Sequence, residues 1–221
     1  MNKTILSMAF ATAITAPVAV QAQSKPTSAT YITKEEVDTV NATPGIDRTI
    51  RVLDIGGEHF AVGIIHRVSA AAAAAARGGA AGRGAGAGRA GRGTPPPPDC
   101  GELAPTPPAS GGATGMISHD FQTEGYLITS GGGTLITGGH IVNGRKTGPD
   151  SEVTTTLNGP SCGGTAFGND LVRKVVKPGD IIIIPAGVPH GWSDIGDEVT
   201  YLSFRPSGQT LTPGYVNPTI K

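Results

Sequence analysis

Charge is scarce in this 221-residue chain, at 15% against a usual value of about 25%. It is also balanced, with 17 basic and 17 acidic residues, so the electrostatic footprint of a nucleic-acid binder is missing. Only two cysteines occur, without a CxxC pair or a Cys/His zinc spacing. No apolar run is long enough to span a bilayer. Gly131–Gly133 lack the Gly-Lys-Ser/Thr ending of a phosphate loop. What is abundant is glycine and proline, 34 and 18 residues. Glycine shows no three-residue period, which excludes collagen, and this many helix breakers disfavours a helical bundle. One all-β domain carrying some low-complexity sequence is left.

Residues 1–22 read as a secretory signal. Lys3 gives a basic start, Ile5 to Ile14 an apolar stretch, and Ala22 closes a small-residue cleavage site. Thr12, Thr15 and Pro17 interrupt the run and argue against a membrane anchor. The expected product is periplasmic or secreted, with no stable membrane insertion after cleavage. In an oxidising compartment Cys100 and Cys162 can form a disulfide, and within the chain only one pairing is open to them.

Residues 23–47 form a lead containing a short helix. Thr33 and Glu36 make a capping box, with Ile32 and Val37 at the staple positions, and the helix is expected over 34–41 before Pro44-Gly45 stops it. From 48 onward the pattern is of strands: 49–55, 59–68, 114–121, 125–130, 134–137, 171–176, 180–184 and 198–205. Short strands divided by Gly- and Pro-rich turns predict a sandwich or barrel over 48–221.

A segment at 70–113 interrupts this barrel. Of its 44 residues 15 are Ala, 11 Gly and 7 Pro, and Leu103 is its one large aliphatic. It buries too little apolar surface to offset its ordering entropy, so a long disordered loop is expected. The Ala70–Ala76 run could form a turn or two of helix that the following Arg/Gly repeats would melt.

Chemistry concentrates near residue 190. Four isoleucines, Ile181–Ile184, predict a buried strand, Pro185 ends it, Gly187 turns the chain, and His190 opens the next strand at a tight corner. Such a corner suits a metal ligand. Gly179, Pro185, Gly187 and His190 match the second motif of the cupin superfamily, G-x5-P-x-G-x2-H-x3-N, with Asp194 where Asn is usual. Gly111, His119, Glu124 and Gly131 match the first motif, with Ile117 in place of its first His. The chain thus resembles a single-domain, exported bacterial cupin.

The resemblance implies a cupin-type jelly-roll β-barrel over about residues 48–206. It also implies one divalent metal ion (Fe, Mn, Ni or Zn) held by His119, Glu124 and His190, with open positions for substrate or water. The expected function is that of a metal-dependent enzyme on a small, polar, oxygen-rich molecule, of dioxygenase, lyase or isomerase type. The alternative is a cupin that binds a small ligand without turning it over, for which the missing His at 117 leaves room. No nucleic-acid partner is expected, and a homodimer is compatible with the family.

Other residues are candidates for the pocket. Alternation along 60–66 puts His66 on one face with Phe60, Val62 and Ile64, read as the interior. His66 would then be a substitute ligand, a substrate contact or an ordinary polar strand end. Tyr126 shares a face with Glu124, and Trp192 with His190. Arg67 and Arg205 could pair a substrate carboxylate, but read more simply as solvated strand ends. His59 and His140 read as ordinary polar residues.

Overall fold

The computed structural model describes residues 27–78 and 97–221. The signal at 1–22 and the middle of the low-complexity segment, 79–96, lie outside the described residues. Among those described, no helix is long and apolar enough to cross a membrane.

Among the described residues, eleven strands follow the first helix, α1 (Lys34–Asn41). They are β1 (Asp47–Asp54), β2 (His59–Val68), β3 (Ala113–His119), β4 (Glu124–Gly131), β5 (Gly133–Thr137), β6 (His140–Lys146), β7 (Ser161–Phe167), β8 (Val172–Val176), β9 (Ile181–Ile184), β10 (His190–Ser193) and β11 (Glu198–Pro206). A second helix, α2 (Ala70–Gly78), follows β2, and a π-helical turn (Val153–Leu157) precedes β7. The strands form two antiparallel sheets, β1-β2-β11-β4-β9 and β6-β7-β3-β10-β5-β8, in the all-β jelly-roll arrangement expected. Between them lie Ile65, Tyr126, Ile128, Leu135, Val176, Ile184, Val199 and Tyr201, drawn from both sheets.

Each sheet is also covered outside. Helix α1 forms as its capping box dictates, Thr33 and Glu36 bonding reciprocally. It lays Val37 and Val40 over Ile50, Val62 and Ile64, with Ile32 packed alongside. The second cover comes from the low-complexity segment and narrows the loop expected over 70–113, whose two ends carry structure. The Ser69 hydroxyl accepts from the Ala72 N–H, and this cap together with the helix propensity of alanine supports α2 instead of a melted turn. At the other end Cys100 is disulfide-bonded to Cys162. Cys100 and Glu102 bridge to Gly144 and Val142, and the Asn143 side chain grips Ala104 through both its amide atoms. This tether lies with Ala113, Met116, Ile136, Ile141 and Ala166, and so closes the outer face of the second sheet.

Two further expectations change. Ile181–Ile184 is a strand, but it is the edge strand β9 and only one of its faces is in the core. Ile184 is 2% exposed, whereas Ile181 and Ile183 are 72% and 65% exposed. Strands β6 and β7 were not expected: β6 is short in apolar sequence, with only Ile141 and Val142 before Asn143-Gly144 and two basic residues, and β7 is Gly-rich with little strand propensity. They are held by pairing with each other and by β7 pairing with β3.

Candidate metal centre

Alternation along β3, β4 and β10 aims one face of each strand between the sheets. On β3 that face carries Gly115, Ile117 and His119, on β4 Glu124 and Tyr126, and on β10 His190 and Trp192; all of them line one cavity of about 150 Å³. Two corners fix the approach. Gly187, with φ of +81°, turns the chain between β9 and β10, and its N–H donates to the His119 carbonyl at 2.7 Å. Gly131, with φ of +65°, ends β4 where a Cβ would lie 1.9 Å from the Glu198 carbonyl oxygen.

His119, Glu124 and His190 are thereby brought together, each buried, with one donor atom apiece inside 4.8 Å of the others. Both histidines are oriented from behind. His119 Nδ1 lies 2.8 Å from Ser161 Oγ, whose own proton goes to the Gly159 carbonyl. His190 Nδ1 lies 3.0 Å from the Val188 carbonyl. Each Nδ1 therefore carries the hydrogen in this bonding network, and each Nε2 presents a lone pair to Glu124. His190 Nε2 is 3.1 Å from Glu124 Oε2. His119 Nε2 is 3.5 Å from the same oxygen, too far for a hydrogen bond, and is a buried nitrogen without a partner.

Burial lowers the His119 pKa below its usual value despite Glu124, and so favours the neutral ring. Burial would by itself raise the Glu124 pKa, but in the metal-free site a proton shared across Nε2 of His119 or His190, together with the Arg205 guanidinium, holds it well below the carboxylate range. Two lone pairs and a carboxylate oxygen converging in a buried site are a donor set that a shared proton or a metal cation can bridge. The donor set, two imidazoles and one carboxylate, fits a divalent metal, and this group could hold one.

Glu124 is gripped from both sides. The Tyr126 hydroxyl donates to Oε2. Arg205 Nε lies 3.0 Å from Oε1 and 2.8 Å from Ser203 Oγ. The rest of that guanidinium donates to the Leu157 carbonyl at 3.2 Å and to both oxygens of Asp47 at 2.8 and 2.7 Å. Arg205 is thus fully buried, which corrects its reading as a solvated strand end. Burial works against its charge, but Asp47 and Glu124 more than offset this and raise its pKa. Burial, and then the Glu124 charge, push the Tyr126 pKa well above its usual value, so the phenol stays protonated.

His66 is not in the site, which corrects the face assigned to it. The cavity is lined from β2 by Ile65 and Arg67, on the opposite face. His66 Nδ1 instead meets Thr200 Oγ1 at 2.8 Å and Glu198 at 3.5 Å. Alternation misled here because α1 buries the outer face of β2, so both faces are apolar. His59 is buried against the Leu211 carbonyl at 2.6 Å, and His140 is an exposed partner of Glu102. Trp192 and Tyr126 do line the cavity. Sequence reasoning missed Tyr201, Asp47 and Ser161. Tyr201 shares strand parity with Arg205, a signal that could have placed both inward.

No protein-family model matches the chain. No curated protein matches it. Solved structures similar to it include a protein from Bacillus halodurans at 11% identity, covering 87% of this chain and 92% of that one, with a TM-score of 0.40. An uncharacterized conserved protein with a double-stranded β-helix domain from Klebsiella pneumoniae has 13% identity, 83% and 94% coverage and a TM-score of 0.37. Hydroquinone 1,2-dioxygenase from Sphingomonas sp. TTNP3 has 12% identity, 86% and 87% coverage and a TM-score of 0.35.

Proposed function

We propose that the chain is an exported, metal-dependent cupin enzyme acting on a small, polar, oxygen-rich molecule. The observation that carries this is the buried His119 Nε2, which lacks a hydrogen-bond partner and faces His190 Nε2 and Glu124 across a few ångströms. Ser161 and Val188 point the two lone pairs inward, while Arg205 and Tyr126 hold the carboxylate in place. A divalent metal bound there would supply Lewis-acid polarisation of a substrate oxygen. The residues of this chain then bind and orient the substrate, and Trp192, Ile65, Ile117 and Ile195 shield the cavity from bulk water.

Ile117 supports a second reading. It lines the cavity on the same face as His119, so three protein ligands are available, not four. A barrel that binds a ligand without chemistry would tolerate that reduced set.

Metal analysis of protein purified without chelator tests the proposal. The expected result is near-stoichiometric divalent metal in the wild type, lost in His119→Ala and His190→Ala. A metal-free wild type that folds and binds small ligands normally would overturn it.

A further inference from the structure

We infer that the ligand of this cavity is a small carboxylate, held between the His119–Glu124–His190 group and the Arg67 guanidinium. The inference rests on the metal reading above and names the substrate class for it. Arg67 lies near the end of β2, half-buried, in the wall of the same cavity. Its Nε–H is engaged by the Tyr201 hydroxyl at 3.4 Å. Its two terminal nitrogens have no acceptor among the described residues. Asp47, the other acidic residue in the cavity wall, has both oxygens on Arg205. Arg67 therefore presents a pre-aimed planar fork, the geometry that matches a carboxylate with two parallel hydrogen bonds.

Tyr201 adds a donor. Its oxygen accepts from Arg67 and also from Trp192 Nε1 at 3.2 Å, so its own proton has no acceptor among the described residues. Charge points the same way. Glu124 and Asp47 in the cavity wall balance Arg67 in the wall and Arg205, which pairs with both acids from behind it, so a divalent ion would leave the site doubly positive. A half-closed pocket with uncompensated positive charge favours an anion over a neutral molecule. The apolar walls, Ile65, Ile117, Ile195 and Trp192, and the volume of about 150 Å³ restrict the rest of that anion to a few atoms.

The test uses the full chain loaded with Co(II), whose visible bands report on its ligands, titrated with lactate and with its uncharged analogue lactamide. Lactate should shift the bands saturably, and lactamide should bind at least about tenfold more weakly, the scale of a charged hydrogen-bonded pair. Arg67→Gln should weaken lactate by a similar factor while leaving Co(II) affinity and the thermal midpoint unchanged. Arg67→Lys, which keeps the charge and loses the fork, should be weaker than wild type for lactate and serves if the glutamine variant does not fold. Equal binding of lactate and lactamide, or wild-type lactate affinity in either variant, overturns the inference. Absence of Co(II) bands before any lactate is added overturns the metal reading itself.

Discussion

Ser161 Oγ lies 2.8 Å from Nδ1 of His119 and gives its own proton to the Gly159 carbonyl, 2.9 Å away. A hydroxyl can be the donor in only one of those bonds, so it must be the acceptor for His119. The imidazole is thereby fixed in the tautomer whose Nε2 lone pair faces Glu124. Partners behind a metal ligand of this kind are worth about 10–100-fold in affinity. Ser161→Ala should weaken metal binding by that factor in a competition with a chromophoric chelator. Its far-UV circular dichroism should be unchanged. Unaltered affinity would mean that something other than Ser161 sets the ring.

Arg205 joins two carboxylates that would otherwise repel, buried Glu124 on one side and half-buried Asp47 on the other. Removing it strands both acids, and breaking a buried ion pair from one side typically costs about 3–5 kcal/mol. Arg205→Met is expected to lose stability on that scale in urea denaturation. Adding Asp47→Asn should recover part of the loss, because one of the two stranded charges is then gone. No recovery in the double variant would show that Asp47 and Arg205 are not coupled.

The sequence spoke clearly where one local rule governed the outcome. Thr33 and Glu36 placed α1, because a capping box satisfies its own backbone groups. The glycines and histidines of the two motifs located the corner before His190 and the three residues that meet in the core. It was less clear where burial came from a distant segment. His66 was assigned to the wrong face because α1 makes the outside of β2 apolar as well. Ile181 and Ile183 looked buried because hydrophobicity does not distinguish an edge strand from a central one. Ser161 lies on a Gly-rich strand without an intrinsic signal, and only its pairing with His119 across β3 and β7 gives it a role.

The disulfide clamps the tether at 97–104 to β7, closing a loop between positions 62 residues apart in sequence. Crosslinks of this size contribute about 2–4 kcal/mol. A Cys100→Ser, Cys162→Ser variant should be less stable by that amount in chemical denaturation. Mass spectrometry of native protein under alkylating, non-reducing conditions should find neither thiol modified. Two alkylated cysteines would mean the bond does not form in the purified protein.

Acid should weaken the metal-free fold. The Glu124 pKa is depressed in the folded protein, so its contribution is present above the unfolded value of about 4.3 and is lost as pH falls through the lower folded value. The stability difference between chelator-treated wild type and Glu124→Gln should therefore be largest near pH 7. It should shrink on acidification below about pH 4. A difference that stays constant down to pH 3 would show that the carboxylate is not stabilised by His119, His190 and Arg205.

Ile117 is the residue that separates this site from a four-ligand one. It stands opposite His190 in the β3–β10 pairing and on the same face as His119. An imidazole there would point into the cavity beside both histidines, replacing an aliphatic wall by a donor. Ile117→His should tighten metal binding by about tenfold or more, since one well-placed ligand easily exceeds 1.4 kcal/mol. The lost apolar contact should cost roughly 1–2 kcal/mol of fold stability. The two effects are separable by measuring chelator competition alongside urea denaturation with the metal removed. Stability lost with no gain in affinity would mean that position 117 does not face the metal. The motif alignment that puts it there would then be wrong, while the geometry of His119, Glu124 and His190 would be untouched.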